Sequence, residues 1–289
     1  MSNLIEIKTL CQQYGIRPSK AKGQNFLINK NVLDKILQAA NLTKKDHVLE
    51  IGPGLGILTQ ELIKNCKKVL AVELDKKIFF YLKQSLRANK NLELLQQDIL
   101  KLKNQEIVEK LKSENYKVVA NLPYNITKPV IRKFLEYDPK PELIVVLVQK
   151  EVAEKIIVKD KKNSILSLAV QFSGQASIID LVPKQNFYPQ PQVESAILKI
   201  EVNKEPIPLE IKQILAKKGK NFQLKEFWRL IKIGFSSPRK QLHNNLTNGF
   251  SFTNTQIKGI FEKCKLRPDI RAENLSLVDW ANLYINFIG

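Results

Sequence analysis

Four residues that suit the binding of a nucleoside cofactor recur at comparable places in the first half of the chain. Gly52, Glu73, Asp98 and Asn121 each stand at or just after the end of a short apolar run. One carboxylate suits the hydroxyl groups of a ribose, and a second suits the exocyclic amine of an adenine. Ligands of an open α/β sheet bind outside the carboxyl ends of its strands. We therefore expect the four residues to converge on one pocket.

The stretch Val48–Thr59 is typical of a strand, a glycine turn and a helix. Gly52, Gly54 and Gly56 interrupt two apolar segments, and Ile57 stands where a dinucleotide fingerprint has its third glycine. Glycines let a backbone approach a ligand closely, and a helix N-terminus offers free N–H groups. A tight turn without a ligand is the alternative for this stretch alone. Together with the two acids, the spacing favours S-adenosylmethionine over a nicotinamide dinucleotide.

The segment Asn121-Leu122-Pro123-Tyr124 suits the methylation of an exocyclic amine. The N6 lone pair of adenine is delocalised into the ring and is a weak nucleophile. The Asn121 side-chain oxygen and a backbone carbonyl at Leu122 or Pro123 are candidate acceptors for the two N–H groups, an arrangement that favours charge development on the nitrogen. Tyr124 is a candidate for stacking on a base that has left its helix. The alternative is a strand-end turn whose Pro-Tyr pair only packs in the core.

These residues need a parallel sheet to bring them together. Apolar runs alternate with helical spacing from residue 46 onward, and two further strands without an intervening helix indicate an antiparallel hairpin at the sheet edge. Prolines should keep Phe187–Gln192, between those two strands, out of helix and sheet alike. The expected strands are 46–51, 68–73, 92–97, 117–121, 142–148, 176–182 and 195–202. The expected helices in this part are 57–65, 76–87, 104–112, 127–136, 149–158 and 164–173.

Three segments are expected. Residues 1–30 form a basic N-terminal arm or lid, 31–205 form a Rossmann-like domain, and 206–289 form a small all-helical domain. Helical candidates in the last segment lie near 209–217, 224–234, 255–264 and 276–287. That segment has 14 Lys or Arg and 6 Asp or Glu, and the whole chain carries a net charge of +19. Such a surplus favours an anionic partner, nucleic acid before a membrane surface, although solvated surface lysines are the alternative.

Several further residues are candidates for binding, each with a structural alternative. Phe187 is a candidate for the second face of a base stack, or it plugs the sheet edge. Asn25, Phe26 and Leu27 are candidates for a lid over the cofactor, or they anchor the arm. Phosphate contacts determine affinity more than sequence choice, although most surface charges make little difference. The candidates for such contacts are Lys20, Lys22, Arg239 and Lys240.

The remaining reactive residues indicate no metal and no disulfide. Cys11, Cys66 and Cys264 are far apart and odd in number, and His47 and His243 cannot form a zinc site alone. This pattern is typical of reduced thiols in a cytoplasmic protein. We expect no signal peptide and no membrane span, because neither a basic-then-apolar start nor a run of about 18 apolar residues is present.

Taken together, six segments resemble the KsgA/RsmA family of ribosomal RNA adenine dimethylases. The resemblance extends from the arm to the tail, so it covers essentially the whole chain. The segments are Lys20–Leu27, Glu50–Thr59, Asn121–Tyr124, Gln149–Glu154, Phe187–Ala196 and Arg271–Ser276.

The resemblance implies a class I S-adenosylmethionine-dependent methyltransferase, with a mostly parallel seven-stranded sheet and a small helical domain. It implies transfer of methyl groups to N6 of two adjacent adenosines in the 3′-terminal hairpin loop of 16S rRNA, within the small ribosomal subunit or its assembly intermediate. It also implies a role in small-subunit biogenesis, and we expect a monomer. The amine-orienting residues would be Asn121, Leu122, Pro123 and Tyr124, and the cofactor residues would be Asn25, Leu27, Gly52, Glu73, Asp98 and Asn121.

The departures from the family pattern are small. Lys22 stands where the arm usually has leucine, Asn25 stands where many members have histidine, and Ser237-Pro238-Arg239 replaces a more basic stretch. The first two bear on the lid, and the third puts some phosphate contacts of the tail in doubt. An Erm-type enzyme acting on large-subunit rRNA and a non-catalytic assembly factor are the alternatives. A nicotinamide enzyme is a weaker one, because Ile57 breaks the dinucleotide fingerprint.

Overall fold

A computed structural model of the chain describes residues 4–19, 23–158, 162–203, 205, 207–216 and 222–287. The chain divides into two compact units. The first unit comprises residues 1–154 and 174–204, and the second comprises 155–173 and 205–289. Residues 155–173 were expected in the first domain, whereas they group with the helical tail.

The first unit is built around a seven-stranded sheet. Its strands are β2 (His47–Ile51), β3 (Lys68–Glu73), β4 (Leu92–Gln96), β5 (Lys117–Asn121), β6 (Leu143–Gln149), β7 (Gly174–Val182) and β9 (Ser195–Val202). They lie in the order β4-β3-β2-β5-β6-β9-β7. Strands β2 to β6 run parallel, whereas β9 is antiparallel to both β6 and β7. The expected parallel sheet with an edge hairpin is therefore confirmed.

Helices cover the sheet and bury its apolar strands. Every residue of β6 except Gln149 is buried, as expected for a central strand covered on both faces. Local signals determine where some helices begin: Asn29 Oδ1 accepts from Asn31 N at 2.8 Å, and Asp75 Oδ1 accepts from Lys77 N at 3.0 Å. The helices are α1 (Leu4–Gln13), α2 (Lys30–Ala40), α3 (Ile57–Asn65), α4 (Lys76–Ser85), α5 (Asn104–Leu111), α6 (Thr127–Glu136) and α7 (Lys150–Ile156).

A second, two-stranded sheet fastens the N-terminal arm to the first unit. Strand β1 (Phe26–Leu27) pairs antiparallel with β8 (Phe187–Tyr188), with Leu27 opposite Phe187. The prediction that the proline-rich stretch after Phe187 stays out of any sheet is therefore wrong for its first two residues. The reason is that Phe187 and Tyr188 precede the first proline, so both still have an N–H group to donate.

The second unit is helical and encloses its own core. Its helices are α8 (Ile165–Ser173), α9 (Leu209–Ala216), α10 (Leu224–Gly234), α11 (Leu242–Gly249), α12 (Asn254–Lys263) and α13 (Leu277–Phe287). Trp280 and Phe227 are fully buried there, and Leu168 and Phe172 of α8 belong to the same apolar cluster. This packing explains why residues 155–173 group with the tail. Helix α11 was not predicted, because its Asn-rich sequence buries only two apolar side chains.

Within the described residues, none of the helices combines the length and the apolar character needed to cross a bilayer.

Candidate active site

The four residues expected at strand ends line one continuous cleft in the first unit. Gly52 follows β2, Glu73 ends β3, Asp98 follows β4 and Asn121 ends β5. Two adjoining chambers, with open volumes of about 670 and 740 Å³, form the cleft. Gly52 and Glu73 line both chambers, whereas Asn121 lines the first and Asp98 the second. The parallel sheet therefore brings all four residues together at the carboxyl ends of its strands, as predicted.

The glycine loop takes a backbone conformation that other residues rarely adopt. Gly52, Gly54 and Gly56 have φ values of 64°, 56° and 79°. A Cβ atom on Gly52 would lie 3.3 Å from the Pro123 ring, and one on Gly54 would lie 3.0 Å from the Phe26 ring. The glycines thus allow the loop to pack closely against both the arm and the Asn-Leu-Pro-Tyr turn.

The two acids expected to bind the nucleoside lie in different surroundings. Glu73 is only 6% exposed, and burial raises its pKa to about 7. Its carboxylate accepts from Asp75 N at 2.8 Å and from Gly54 N at 3.4 Å, so it is fixed in place. Asp98 is half-buried, and its Oδ1 accepts from Leu100 N at 2.9 Å. Each carboxylate therefore lines the cleft with its orientation set by the backbone.

A third acid, Glu50, was missed as a site residue from the sequence. It lines the first chamber beside Gly52 and is only 1% exposed. Burial, reinforced by the negative charge of Glu73, raises the pKa of Glu50 to about 8. No described residue forms a hydrogen bond with its Oε2 atom. The available signal was a single charged residue inside the apolar run Val48–Ile51.

The amide of Asn121 is oriented by the N-terminal arm. Asn121 Nδ2 donates to the backbone carbonyl of Asn25 at 2.9 Å. No described residue donates to Asn121 Oδ1, so this oxygen is available to a ligand in the first chamber. The Asn121 amide is therefore held with its acceptor atom free.

The hydrogen bonds of the following turn show which backbone carbonyl, that of Leu122 or that of Pro123, is free to accept from a ligand. The Pro123 carbonyl already accepts from Ile126 N at 3.1 Å and from Thr127 Oγ1 at 3.2 Å. Leu122 donates its N–H to Leu147 O at 3.2 Å, and its carbonyl accepts no hydrogen bond from the described part of the chain. The Leu122 carbonyl is therefore the available acceptor of the two.

Tyr124 is anchored at its hydroxyl end. Its OH group lies 2.6 Å from Ser195 Oγ, and Ser195 is fully buried at the start of β9. Burial raises the pKa of Tyr124, so the hydroxyl is protonated at neutral pH. The ring lines the first chamber beside Asn121.

The arm both lines the cleft and anchors in the core. Asn25 lines the first chamber, whereas Phe26 and Leu27 are buried in apolar clusters and contribute their remaining surface to its wall. A Cβ atom on Gly23 would lie 2.8 Å from Tyr124 N, so the arm lies directly against the Asn121–Tyr124 turn. The hydrophobic anchor is therefore seen directly, and the cover over a cofactor stays a prediction that is compatible with it.

Phe187 does not join the cleft. It is 3% exposed, belongs to an apolar cluster with Leu27 and lines neither chamber. Its buried position matches the alternative of an aromatic plug, and the base-stacking role stays a prediction.

The expected phosphate contacts are only partly described. Lys20 and Lys22 lie outside the described residues. Arg239 and Lys240 are exposed and lie in the second unit, between α10 and α11. No group of three or more His, Cys, Asp or Glu within the described ranges could hold a metal ion.

The donors and acceptors of the cleft fit S-adenosylmethionine. Its ammonium group would satisfy the unpartnered Oε2 atom of Glu50, and its ribose hydroxyls would suit Glu73. The second chamber, which Asp98 lines, would take its adenine. With its order of strands, its edge hairpin and this glycine loop, the first unit has the fold of a class I S-adenosylmethionine-dependent methyltransferase.

The chain belongs to the ribosomal RNA adenine dimethylase family, whose model matches residues 17–288. It is 39% identical to a ribosomal RNA small subunit methyltransferase A of Dehalococcoides mccartyi, covering 98% of this chain and 92% of the relative. It is 38% identical to the protein of the same name from Clostridioides difficile, with 96% and 93% covered.

Two solved structures share the fold. A dimethyladenosine transferase from Plasmodium falciparum is similar with a TM-score of 0.68 and 26% identity, covering 89% of this chain and 95% of that one. The 23S rRNA methyltransferase ErmE also gives a TM-score of 0.68, at 22% identity, covering 92% and 100%.

Proposed function

We propose that the protein dimethylates N6 of two adjacent adenosines in the 3′-terminal hairpin loop of 16S rRNA, using S-adenosylmethionine as the methyl donor. The chemistry rests on one observation. The Asn121 amide is held by Asn25 with its oxygen free at the cleft. The choice of RNA rests on the near full-length identity to relatives named as small subunit methyltransferases.

In this proposal the cofactor residues are Asn25, Leu27, Gly52, Glu73, Asp98 and Asn121, together with Glu50, which lines the same chamber as Gly52. When bound, the cofactor supplies an electrophilic methyl group on a sulfonium. Its positive charge and its ammonium group match the acidic lining of the cleft. The glycine loop, with no side chain between backbone and ligand, lets that ligand come close.

Asn121 and Leu122 prepare the amine for attack. Asn121 Oδ1 and the Leu122 carbonyl accept the two N6–H groups, which directs the nitrogen lone pair away from both acceptors. These acceptors stabilise the positive charge that develops on nitrogen during transfer, so no strong general base is needed, and the alkylated nitrogen then releases one N–H proton to solvent. Pro123 fixes the turn, because its own carbonyl is bonded within the chain. Tyr124 stacks on the adenine, which must leave its neighbours to enter the cleft.

The partner is 16S rRNA within the small ribosomal subunit or its assembly intermediate, and the protein acts as a cytoplasmic monomer. The net charge of +19 supports this choice, because phosphate contacts supply much of the affinity for RNA. In this proposal the protein also has a role in small-subunit biogenesis.

Tritium transfer from labelled S-adenosylmethionine tests the proposal. Unmodified small subunits, naked 16S rRNA and large subunits are offered in parallel, and the labelled base is mapped. We expect paired N6-dimethyladenosines in small subunits. Label on large subunits would instead indicate the Erm-type activity, and binding without any transfer would indicate a non-catalytic assembly factor.

A further inference from the structure

A basic hollow lies at the amino ends of the parallel strands, opposite the end of the sheet that carries the cleft. His47 begins β2 and Lys68 begins β3, whereas the cleft lies at the carboxyl ends of the same strands. Lys67, Lys90 and Lys112 also line the hollow, whose open volume is about 780 Å³. No carboxylate of the described chain lines it. The hollow is therefore a concentration of positive charge remote from the active site.

Two acids near the hollow, Glu93 and Asp46, are paired with Lys68, Lys110 and Lys117. Glu93 forms ion pairs with Lys68 at 3.2 Å and with Lys110 at 3.1 Å. Asp46 pairs with Lys117 at 3.2 Å. By contrast, Lys67, Lys90 and Lys112 are exposed and form no ion pair with any residue in the described ranges. Three amines in one hollow thus lack a counter-charge.

Lys112 is the C-cap residue of α5 and Lys67 lies two residues after the end of α3, but the amines of Lys67, Lys90 and Lys112 donate to no carbonyl of the described chain. Lysines near helix C-termini are stabilised by the helix dipole, and the Lys68 amine does donate to the Lys110 carbonyl near the end of α5. That contact involves Lys68, which is also paired with Glu93. The positive potential also reaches His47, whose pKa is lowered first by burial and then by the charges of Lys67 and Lys68.

We infer that this hollow binds the phosphate backbone of RNA at a place remote from the methylated adenosines. The inference rests on the proposed function, because it requires an RNA substrate large enough to reach the opposite edge of the domain. RNA is the favoured partner because several amines converge without an intervening carboxylate, and a backbone offers several phosphates to them at once. The contacts would increase affinity without choosing sequence.

A matched pair of triple variants tests the hollow. The hollow variant is Lys67→Gln, Lys90→Gln and Lys112→Gln. The control variant is Lys35→Gln, Lys199→Gln and Lys212→Gln, whose amines already pair with Asp180, Glu201 and Glu205. Both variants lose the same net charge, so a difference between them reports local phosphate contacts.

The measurement is the affinity for 16S rRNA as a function of salt. Each phosphate contact contributes about 0.7 to 0.9 to the slope of log affinity against log salt, so the hollow variant should lower the slope by about 2 to 3. The control variant should keep the slope of the unmodified protein. Equal slopes for both variants would overturn the inference. Methyl transfer by the unmodified protein is scored separately, so a failure of the proposed function remains distinguishable.

A second measurement needs no variant. Acetylation of lysines in the unmodified protein, read by mass spectrometry, should be slowed at Lys67, Lys90 and Lys112 when 16S rRNA is added. Lys35 and Lys199 should be unaffected. Protection by inorganic phosphate at the same ionic strength but not by RNA would contradict the inference. Ribosomal proteins without RNA are added in a further sample. Protection of these lysines in that sample but not with RNA would contradict the inference as well.

Discussion

The side-chain amide of Asn121 donates to the backbone carbonyl of Asn25 across 2.9 Å, and this bond joins the Asn121–Tyr124 turn to the N-terminal arm. One amide therefore serves two purposes. Its nitrogen holds the arm that lines the first chamber, and in the proposed mechanism its free oxygen accepts from the substrate amine. Cofactor binding and amine orientation should consequently be coupled through this residue.

Replacing Asn121 separates chemistry from RNA binding. Asn121→Ala should lower the rate constant for methyl transfer by at least about 100-fold, the cost of removing one preorganised partner of a developing charge. RNA affinity should stay within about twofold, because phosphate contacts dominate it. Single-turnover transfer and filter binding are the measurements. Unchanged turnover would remove the amine-orienting role.

The buried acids predict that cofactor binding depends on pH. Burial raises the pKa of Glu50 to about 8 and that of Glu73 to about 7, so both hold protons at pH 6 in the free protein. The ammonium group of S-adenosylhomocysteine favours an ionised carboxylate beside it, so affinity for this ligand should rise from pH 6 to pH 8.5. Calorimetry across this range measures it.

Glu50→Gln is the matching variant. It should bind more weakly than the unmodified protein at pH 8.5 and show a flatter pH profile. A profile as steep as that of the unmodified protein would assign the proton to another group.

The same acid predicts how stability depends on pH without ligand. Between its ordinary pKa of 4.5 and about 8, the folded protein binds more protons at Glu50 than the unfolded chain does. The free energy of unfolding should therefore fall as pH rises through this window. Glu50→Gln should reduce that decline, as urea unfolding at pH 5.5 and 8.5 would show. An identical decline in both proteins would argue against a buried, protonated Glu50.

Because the arm lies against the Asn121–Tyr124 turn, Gly23→Ala should change both the stability of the protein and its binding of ligand. Gly23 has a φ of 64°, and a Cβ atom there would lie 2.8 Å from Tyr124 N. We expect the free energy of unfolding to fall by about 1 to 2 kcal/mol from the left-handed conformation alone. Weaker binding of S-adenosylhomocysteine should accompany it, because the arm lines the chamber.

Gly259→Ala is the control for that substitution. Gly259 lies in α12, and a Cβ atom there would meet nothing within 4 Å. Alanine should therefore leave ligand binding unchanged and stabilise the helix by up to about 1 kcal/mol. Equal ligand affinity in Gly23→Ala and Gly259→Ala would show that the arm does not shape the cofactor site.

The hydrogen bond between Tyr124 and Ser195 can be tested by a double-mutant cycle. Tyr124→Phe and Ser195→Ala each remove one side of the 2.6 Å contact while keeping the ring. Each should lower transfer by a few-fold, and the double variant should be no worse than the poorer single one. Tyr124→Ala should cost more, because the stacking surface worth about 1 to 3 kcal/mol is lost as well. Additive effects would show that Ser195 does not position the ring.

The sequence predicted the cleft well because strand ends carry local signals. Glu73, Asp98 and Asn121 each follow an apolar run, and a parallel sheet necessarily gathers such positions at one edge. Glu50 was harder to assign, because a lone acid inside a strand gives no sign of which face it occupies until the loop beside it is placed.

Contacts between distant segments could not be predicted in the same way. The pairing of Leu27 with Phe187 involves two residues on each side, too few for any periodic pattern. Similarly, α8 has the spacing of any buried helix, so only its contacts with Phe227 and its neighbours reveal that it belongs with the tail.

The pairing of the arm with β8 has a consequence for synthesis of the chain. The arm is made early, but its partner strand at Phe187–Tyr188 is made only after β2 to β7. During synthesis on the ribosome, the arm therefore cannot pair with β8 and complete the wall of the first chamber until residue 188 has emerged from the exit tunnel. The protein therefore becomes able to bind the ligand only late in translation, when nearly the whole first unit has been made.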